Sequence, residues 1–403
     1  MSDNEVFIMN LSYEKHFRSA RPDGRLTSSL AAHMEQMRHL KPLLSMPETL
    51  TPEAFLNWKN SVCQKARELL LLPEFTKQPD PVRLSHVERD GYAVEKWELY
   101  PDSVTVVPFL VLIPDGVDET NPAPGVICIP GSIHSKEFIS GEPLLDRPTC
   151  RFEKFPERNR MAKYMAMNKM VAFAFDNPET AECALDIERE GEFGYYTRTQ
   201  MCFGYIQSGL CYAGMSVFQK LCCLQWMKTL PYIDANRIAV SSHSLGSLPS
   251  LFLGLISDDI KAVVFNDFVC DPRERYMSIT EEPENGMSQN SGNWHEIPGL
   301  WKWFAHQDLL AALAPKYLAC NEGGAEEYIK TVRRGYEAAG CPERFQLSQY
   351  PKYSDSAHRN HPDALPKYGL SEDAYFEHCY VDPGDHSFRE EPSIRLLKKC
   401  FQL

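Results

Sequence analysis

The run Ile238-Ala239-Val240-Ser241-Ser242-His243-Ser244-Leu245-Gly246-Ser247 isolates one hydroxyl, that of Ser244, among small residues at the end of an apolar stretch. Continued by the apolar run Leu248 to Ile256, it spells a strand, a small-x-Ser-x-Gly turn and a helix. That combination lifts a serine oxygen clear of a sheet edge, where it can act as a nucleophile. Small neighbours are needed because a strained turn leaves little room for Cβ branches. The helix that follows lends the positive end of its dipole to developing negative charge. Ser242 stands where this pattern usually has glycine, and a serine-rich run could instead merely cap a helix. The position after a buried strand favours the nucleophile.

A serine needs a base to activate it, and in the chain order Ser, acid, His that base comes late. Val381-Asp382-Pro383-Gly384-Asp385-His386-Ser387-Phe388 supplies His386 in a glycine-bearing loop, just before a C-terminal helix expected over Ile394 to Phe401. The acid that orients the imidazole should follow the preceding strand. After Tyr317 to Cys320 the segment from Asn321 to Glu327 offers Glu322, Glu326 and Glu327 on one tight loop. Glu326 is the expected acid, because a turn at Gly323-Gly324 would bring it back toward the histidine, and Asp267 in Asn266-Asp267-Phe268 is the alternative. The competing reading is that Glu326 and Glu327 only cap the next helix. Oxyanion donors are expected from the amides of Leu245 and of Ser132, the latter in Pro130-Gly131-Ser132-Ile133-His134. His134, His243 and Trp301 are candidate substrate contacts. Trp294, Trp301, Trp303, Tyr353 and Tyr375, all in long loops, could form a sugar-stacking wall or simply pack beneath those loops.

The elements that must position these groups follow from periodicity. Leu30, Met34, Met37 and Leu40, then Phe55, Trp58, Val62 and Leu69, recur at helical spacing, which predicts a helical N-terminal extension over residues 1–78. A proline-bearing linker follows, and Val94 to Leu99 and Val104 to Ile113 read as an antiparallel pair. Beyond it, short apolar strands alternate with helices: Gly125 to Ile129, Met170 to Phe175, Ile238 to Ser241, Ala262 to Phe265, Tyr317 to Cys320 and Phe345 to Tyr350, with helices at Met215 to Leu230 and Glu326 to Ala339. Such alternation predicts an α/β catalytic domain over residues 79–403, with a mostly parallel central sheet flanked by helices. Long irregular insertions at about 267–300 and 351–377 are expected near the mouth of the site.

Composition narrows the function classes. The formal net charge is −13, from 55 acidic and 42 basic residues, and no basic cluster interleaved with aromatics occurs, so nucleic acid is not an expected partner. No apolar run approaches the roughly 18 residues of a membrane span. The 13 cysteines are scattered, include the pair Cys222 and Cys223 and never form CxxC, which fits free thiols in a reducing compartment. With a polar first segment lacking a secretory apolar core, the expected location is cytoplasmic.

Taken together, Pro130-Gly131-Ser132, Lys136-Glu137, Gly141-Glu142-Pro143, Asp176-Asn177-Pro178, the serine turn, Asn266-Asp267-Phe268, Asp308 to Pro315, Glu322-Gly323-Gly324 and Asp385-His386 resemble the acetyl xylan esterase-like, dienelactone hydrolase-related branch of the α/β-hydrolases. The resemblance covers roughly residues 80–403. It implies an α/β-hydrolase fold, a triad of Ser244, Glu326 and His386, no metal or organic cofactor, and cleavage of a carboxylic ester of a small molecule or an acylated carbohydrate through an acyl-enzyme. A homo-oligomer is compatible with it. Glu326 stands where relatives often have aspartate. Two other readings share the core: a peptidase of the prolyl oligopeptidase kind, which would need a repeat-bearing propeller that this chain does not show, and a catalytically silent hydrolase fold that binds rather than reacts.

Overall fold

The computed structural model describes residues 19, 21–143, 155–185, 195–276, 295–359 and 372–403. Within them the chain enters through helices α1 (Ser29–Arg38) and α2 (Pro52–Leu69), each opened by a hydroxyl side chain, Ser28 or Thr51, that accepts from a first-turn amide. Strands β1 (Val82–Arg89), β2 (Tyr92–Leu99) and β3 (Val107–Pro114) then form an antiparallel meander. The expected pair is therefore β2 and β3, shifted by two or three residues. β1 was not expected from the sequence, and every one of its residues is exposed, so it carries no burial pattern to read.

After β4 (Ala123–Ile129) come α3 (Lys136–Ser140), α4 (Met161–Met167), β5 (Val171–Phe175), α5 (Tyr195–Gln207) and α6 (Tyr212–Met227). The second half holds β6 (Ile233–His243), α7 (Ser247–Ile256), β7 (Ile260–Asn266), α8 (His306–Ala311), β8 (Tyr317–Cys320), α9 (Glu326–Ala338), β9 (Phe345–Leu347), α10 (Glu372–His378) and α11 (Glu390–Phe401). The strands described here make one sheet in the order β1-β2-β3-β5-β4-β6-β7-β8-β9. It is parallel from β5 through β9 and antiparallel at the β1, β2, β3 end.

Alternation along the strands divides the core. Phe109, Val111, Ile127, Ile129, Ile238, Val240, Val263 and Phe265 face one layer, with residues of α2, α6, α7, α8 and α9. Leu110, Leu112, Val126, Cys128, Ala239, Ala262 and Val264 face the other, with residues of α3, α4 and α11. Phe55, Trp58, Val62 and Ala66 of α2 belong to the first layer, so this N-terminal helix is packed into the same core as the sheet. Of the expected insertions, the described parts contain the short helices Pro272–Tyr276 and Leu300–Trp303, and α10; residues 277–294 and 360–371 lie outside the described residues. The twelve described cysteines are all free.

Candidate active site

β6 runs buried from Ile238 to His243 and stops at Ser244, whose φ is +51°. A non-glycine residue in this region is strained and is held there only by its surroundings. The cause is visible at Gly246, where an added Cβ would collide with the carbonyl oxygen of Ile129: the turn is pressed against the end of β4 and must be tight. Ser242, in the place of the usual glycine, is fully buried, and its hydroxyl donates to the carbonyl of Val264 (2.9 Å) while lying 2.8 Å from Ser250 Oγ. The extra side chain is thus tolerated because its polar atom is bonded across to β7 and α7. The Ser244 hydroxyl itself is half-buried and forms no hydrogen bond among the described residues.

His386 is held at the carboxyl ends of β7 and β8, where Asn266 and Glu322 bond to its loop. Its ring centroid is 4.6 Å from that of His243, the residue before Ser244. Its Nδ1 lies 2.6 Å from Glu322 Oε2, and the Ser387 amide donates to Glu322 Oε1 at 2.9 Å. A carboxylate only accepts, so Nδ1 carries the proton and Nε2 is left as the acceptor a base requires. Burial alone would lower the imidazole pKa, but the charge of Glu322 and its hydrogen bond outweigh it and hold the value above the ordinary 6.5.

The carboxylate at the histidine is therefore Glu322, not the expected Glu326. Glu326 is the first residue of α9, where it lies at the positive end of the helix dipole. The glycine pair works against the expected return. Gly323 has φ +67° and its carbonyl accepts from Val269, while the Ala325 amide donates to the Val269 carbonyl. The chain after Glu322 is thereby laid along the segment following β7 and led into α9. Asp267, the alternative acid, lies close enough for its charge to raise the His386 pKa, yet its own carboxylate accepts from the Phe268 amide, and burial pushes its pKa up to about 6.

The His386 loop is tied down from several directions. Asn266 Nδ2 donates to the Ser387 carbonyl (3.0 Å) and its Oδ1 accepts from the Arg389 amide (2.7 Å). Asn159 Oδ1 accepts from the Phe388 amide (2.8 Å), and Asp385 pairs with Arg158 (2.5 Å) and Arg389 (3.0 Å). None of Asn266, Asn159 or Glu322 as the partner carboxylate was singled out from sequence; for Glu322 the available signal was its place two residues after β8.

A Cβ built on Gly131 would lie 3.4 Å from Ser244 Cβ, so the loop expected to supply an oxyanion donor stands against the turn at Ser244. Leu245, the other expected donor, is the second residue of a short helical turn over Ser244–Gly246. Such early positions have no acceptor within the helix. His134 and His243 are placed differently from the substrate contacts expected of them. They stack at 5.8 Å, with Phe138 on the far side of His134 at 4.4 Å, and all four of their ring nitrogens are buried and unpaired. Burial keeps both rings neutral, pushing His134 down to about 4 and His243 well below 6.5. Among the described residues His243, Glu322 and His386 form the trio whose donor atoms gather within 4.8 Å, but Glu322 and His386 already engage each other.

Trp301 packs on Tyr276 and on Met34 and Met37 of α1. Trp303 stacks under the Lys65 ammonium, and Tyr353 and Tyr375 are buried in the core, so these aromatics serve packing. Trp294 lies outside the described residues.

A left-handed serine between a buried strand and a helix, a histidine oriented by a carboxylate and a mostly parallel sheet define an α/β-hydrolase. Residues 11–399 match the model of the Abhydrolase family, and the chain belongs to it, in its acetyl xylan esterase-like part. A candidate acetyl xylan esterase from Bacteroides fragilis is 33% identical, with a TM-score of 0.87 over 96% of this chain and 100% of that one. A glucuronoyl esterase from Teredinibacter turnerae shares the fold at 11% identity and a TM-score of 0.51, over 94% of this chain and 93% of that one. The methylesterase BT1017 does so at 15% identity and 0.54, over 91% and 71%. No curated protein matches the sequence. No helix among the described residues is long and apolar enough to cross a membrane.

Proposed function

We propose that this protein is a serine esterase that hydrolyses carboxylic esters, acylated carbohydrates among them, through an acyl-enzyme on Ser244. The observation that carries this reading is the 2.6 Å bond between His386 and Glu322 beside a serine held at positive φ. It is supported by the family and by the similarity to a candidate acetyl xylan esterase. In the reaction Ser244 Oγ attacks the ester carbonyl as His386 Nε2 takes its proton, and Glu322 stabilises the imidazolium that results. Backbone amides at Leu245 and Ser132 receive the oxyanion. His386 returns the proton to the leaving alcohol, then activates the water that frees the acyl group.

The test is labelling by a fluorophosphonate probe alongside hydrolysis of p-nitrophenyl acetate, acetylated sugars and a panel of peptide amides. The wild type should label at Ser244 and turn over esters. Ser244→Ala should fold and lose both, since removing such a nucleophile costs about six powers of ten in turnover. Folded wild type that neither labels nor hydrolyses any ester would refute the proposal, and cleavage of peptide amides in preference to esters would make it a peptidase.

A further inference from the structure

The receptor for the oxyanion must be rigid before the substrate arrives, because its contribution depends on donors that need no reorganisation at the moment of reaction. The loop Pro130-Gly131-Ser132 contains no helix or strand to impose that rigidity. One side chain reaches it at two successive points. Asn177, two residues past the end of β5 and fully buried, donates from Nδ2 to the carbonyl of Pro130 (2.8 Å) and to that of Gly131 (3.2 Å).

The planarity of the peptide gives this contact its consequence. In a trans peptide the carbonyl and the amide of one unit point in opposite directions. Both carbonyls are drawn to Asn177, so the amides of Gly131 and of Ser132 are turned to the opposite side. Neither amide has a hydrogen-bond acceptor among the described residues. Two successive amides on one side of a chain form a concavity that suits an anion. The next carbonyl, of Ser132, is fixed as well, accepting from Arg198 Nη2 at 3.0 Å.

Asn177 is itself held. Its neighbour Asp176 accepts from the Lys136 amide (2.7 Å) and pairs with Lys136 Nζ (2.9 Å), and the carbonyl of Pro178 accepts from the Tyr212 hydroxyl (2.9 Å). Its Oδ1 is buried and unpaired, which fixes which end of the amide faces the loop: two carbonyl oxygens can be met only by the NH2.

We propose that Asn177 is the positioning residue of the oxyanion receptor, and that the amides of Gly131 and Ser132 together, with that of Leu245, form it. This rests on the esterase reading above. Asn177 touches no reacting atom and acts through the loop. Asparagine is required there because aspartate would set a carboxylate against two carbonyl oxygens, and alanine would take this donor from the Pro130 carbonyl and leave the Gly131 carbonyl only the His134 amide, at 3.4 Å.

Wild type, Asn177→Ala, Asn177→Asp and Asn177→Ser are to be compared on p-nitrophenyl acetate, with thermal melts to establish the folded fraction. In the Ala and Asp variants kcat should fall about a hundredfold to a thousandfold, as for loss of an oxyanion donor. KM should move by no more than about threefold, since a group acting only in the transition state leaves ground-state binding intact. Serine, which restores one donor, should recover about tenfold over alanine. Affinity for phenylboronic acid, which makes a tetrahedral anion on the serine, should fall with kcat, while affinity for unreactive acetanilide should not change. A kcat within about threefold of wild type in Asn177→Ala, or kcat and acetanilide affinity falling together, would overturn the inference. On unmutated protein, phenylboronic acid should move the amide proton signals of Gly131 and Ser132 downfield, and unmoved signals would overturn it whatever the stability of the variants. Wild type without ester turnover or Ser244 labelling is a separate result, which removes the esterase reading and this inference with it.

Discussion

Replacing Glu322 by glutamine leaves the shape of the side chain and removes its charge, and the structure determines why that substitution has no harmless arrangement. The carboxylate accepts two hydrogen bonds, from His386 Nδ1 and from the Ser387 amide. A glutamine must turn its NH2 toward one of them. Facing Nδ1, the NH2 forces the imidazole into the tautomer with its proton on Nε2, which then cannot accept the proton of Ser244. Facing the Ser387 amide, it sets two donors against each other in a buried place. In either arrangement the imidazolium loses its counter-charge. Opposite charges about 4 Å apart attract by about 4 kcal/mol at an effective dielectric of about 20, which is about three powers of ten in rate. With the tautomer added, kcat in Glu322→Gln should fall about 10³- to 10⁴-fold, the scale known for loss of a triad acid. Glu326→Gln, at the start of α9, should keep its activity and lose only the about 0.3–1 kcal/mol of a charge at a helix N-terminus. The assay is initial-rate hydrolysis of p-nitrophenyl acetate at pH 8 on protein shown to be folded. Full activity in Glu322→Gln, or a collapse of kcat in Glu326→Gln, would refute the assignment.

Because Glu322 holds the His386 pKa above 6.5, kcat/KM should rise with pH through an inflection above that value, and the inflection should move down in the residual activity of Glu322→Gln; a pH-rate profile of both proteins checks it. The same shift has a consequence for stability: a group whose pKa is raised on folding contributes fully below its unfolded value of about 6.5, and the contribution is lost as pH rises through the folded value. The stability difference between wild type and Glu322→Gln, measured by urea unfolding, should therefore be larger at pH 6 than at pH 9, and an unchanged difference would contradict the ion pair. Ser242→Val and Ser242→Gly should each destabilise by about 1–3 kcal/mol, because each leaves the Val264 carbonyl without the hydroxyl that donates to it; thermal melts decide. Gly246→Ala should be worse than either and lose activity with stability, because the added Cβ meets the Ile129 carbonyl and no rotamer relieves a backbone clash.

What was legible in the sequence is what neighbours along the chain determine. The serine turn needs only an apolar strand, small flanking residues and an apolar helix, all within Ile238 to Ile256, and the structure has them there. Five of the six expected parallel-sheet strands are present for the same reason, each holding a short apolar run; the sixth, which alternates apolar and polar residues, forms only over Phe345–Leu347 and stops three residues short of the expected Tyr350. The acid was missed because the choice among Glu322, Glu326 and Glu327 is not local. It is made by Val269, whose amide and carbonyl hold Gly323 and Ala325, and by Ser348, whose carbonyl accepts from Gly323. Those partners lie dozens of residues away in either direction. β1 was missed for a different reason, since its residues are all exposed and only backbone pairing with β2 makes it a strand.

The positioning residues share a form that periodicity does not reveal. Asn177, Asn266 and Asn321 stand at or just past the carboxyl ends of β5, β7 and β8, and each is fully buried. Each reaches sideways to another segment: Asn177 to Pro130 and Gly131, Asn266 to Ser387 and Arg389, Asn321 to Ser393. A carboxamide is suited to this because its NH2 donates while it remains neutral; Asn266 uses its oxygen as well, whereas the oxygens of Asn177 and Asn321 are buried and unpaired. A charged residue in the same places would have to be desolvated and would shift the imidazole whose pKa sets the reaction. Hydrophobic pattern places the strands, but the loops at their carboxyl ends are tied by these neutral cross-links together with the ion pairs of Asp385 with Arg158 and Arg389. An asparagine at the end of an apolar strand is therefore the sequence signal that marks where the sheet edge is tied to another segment.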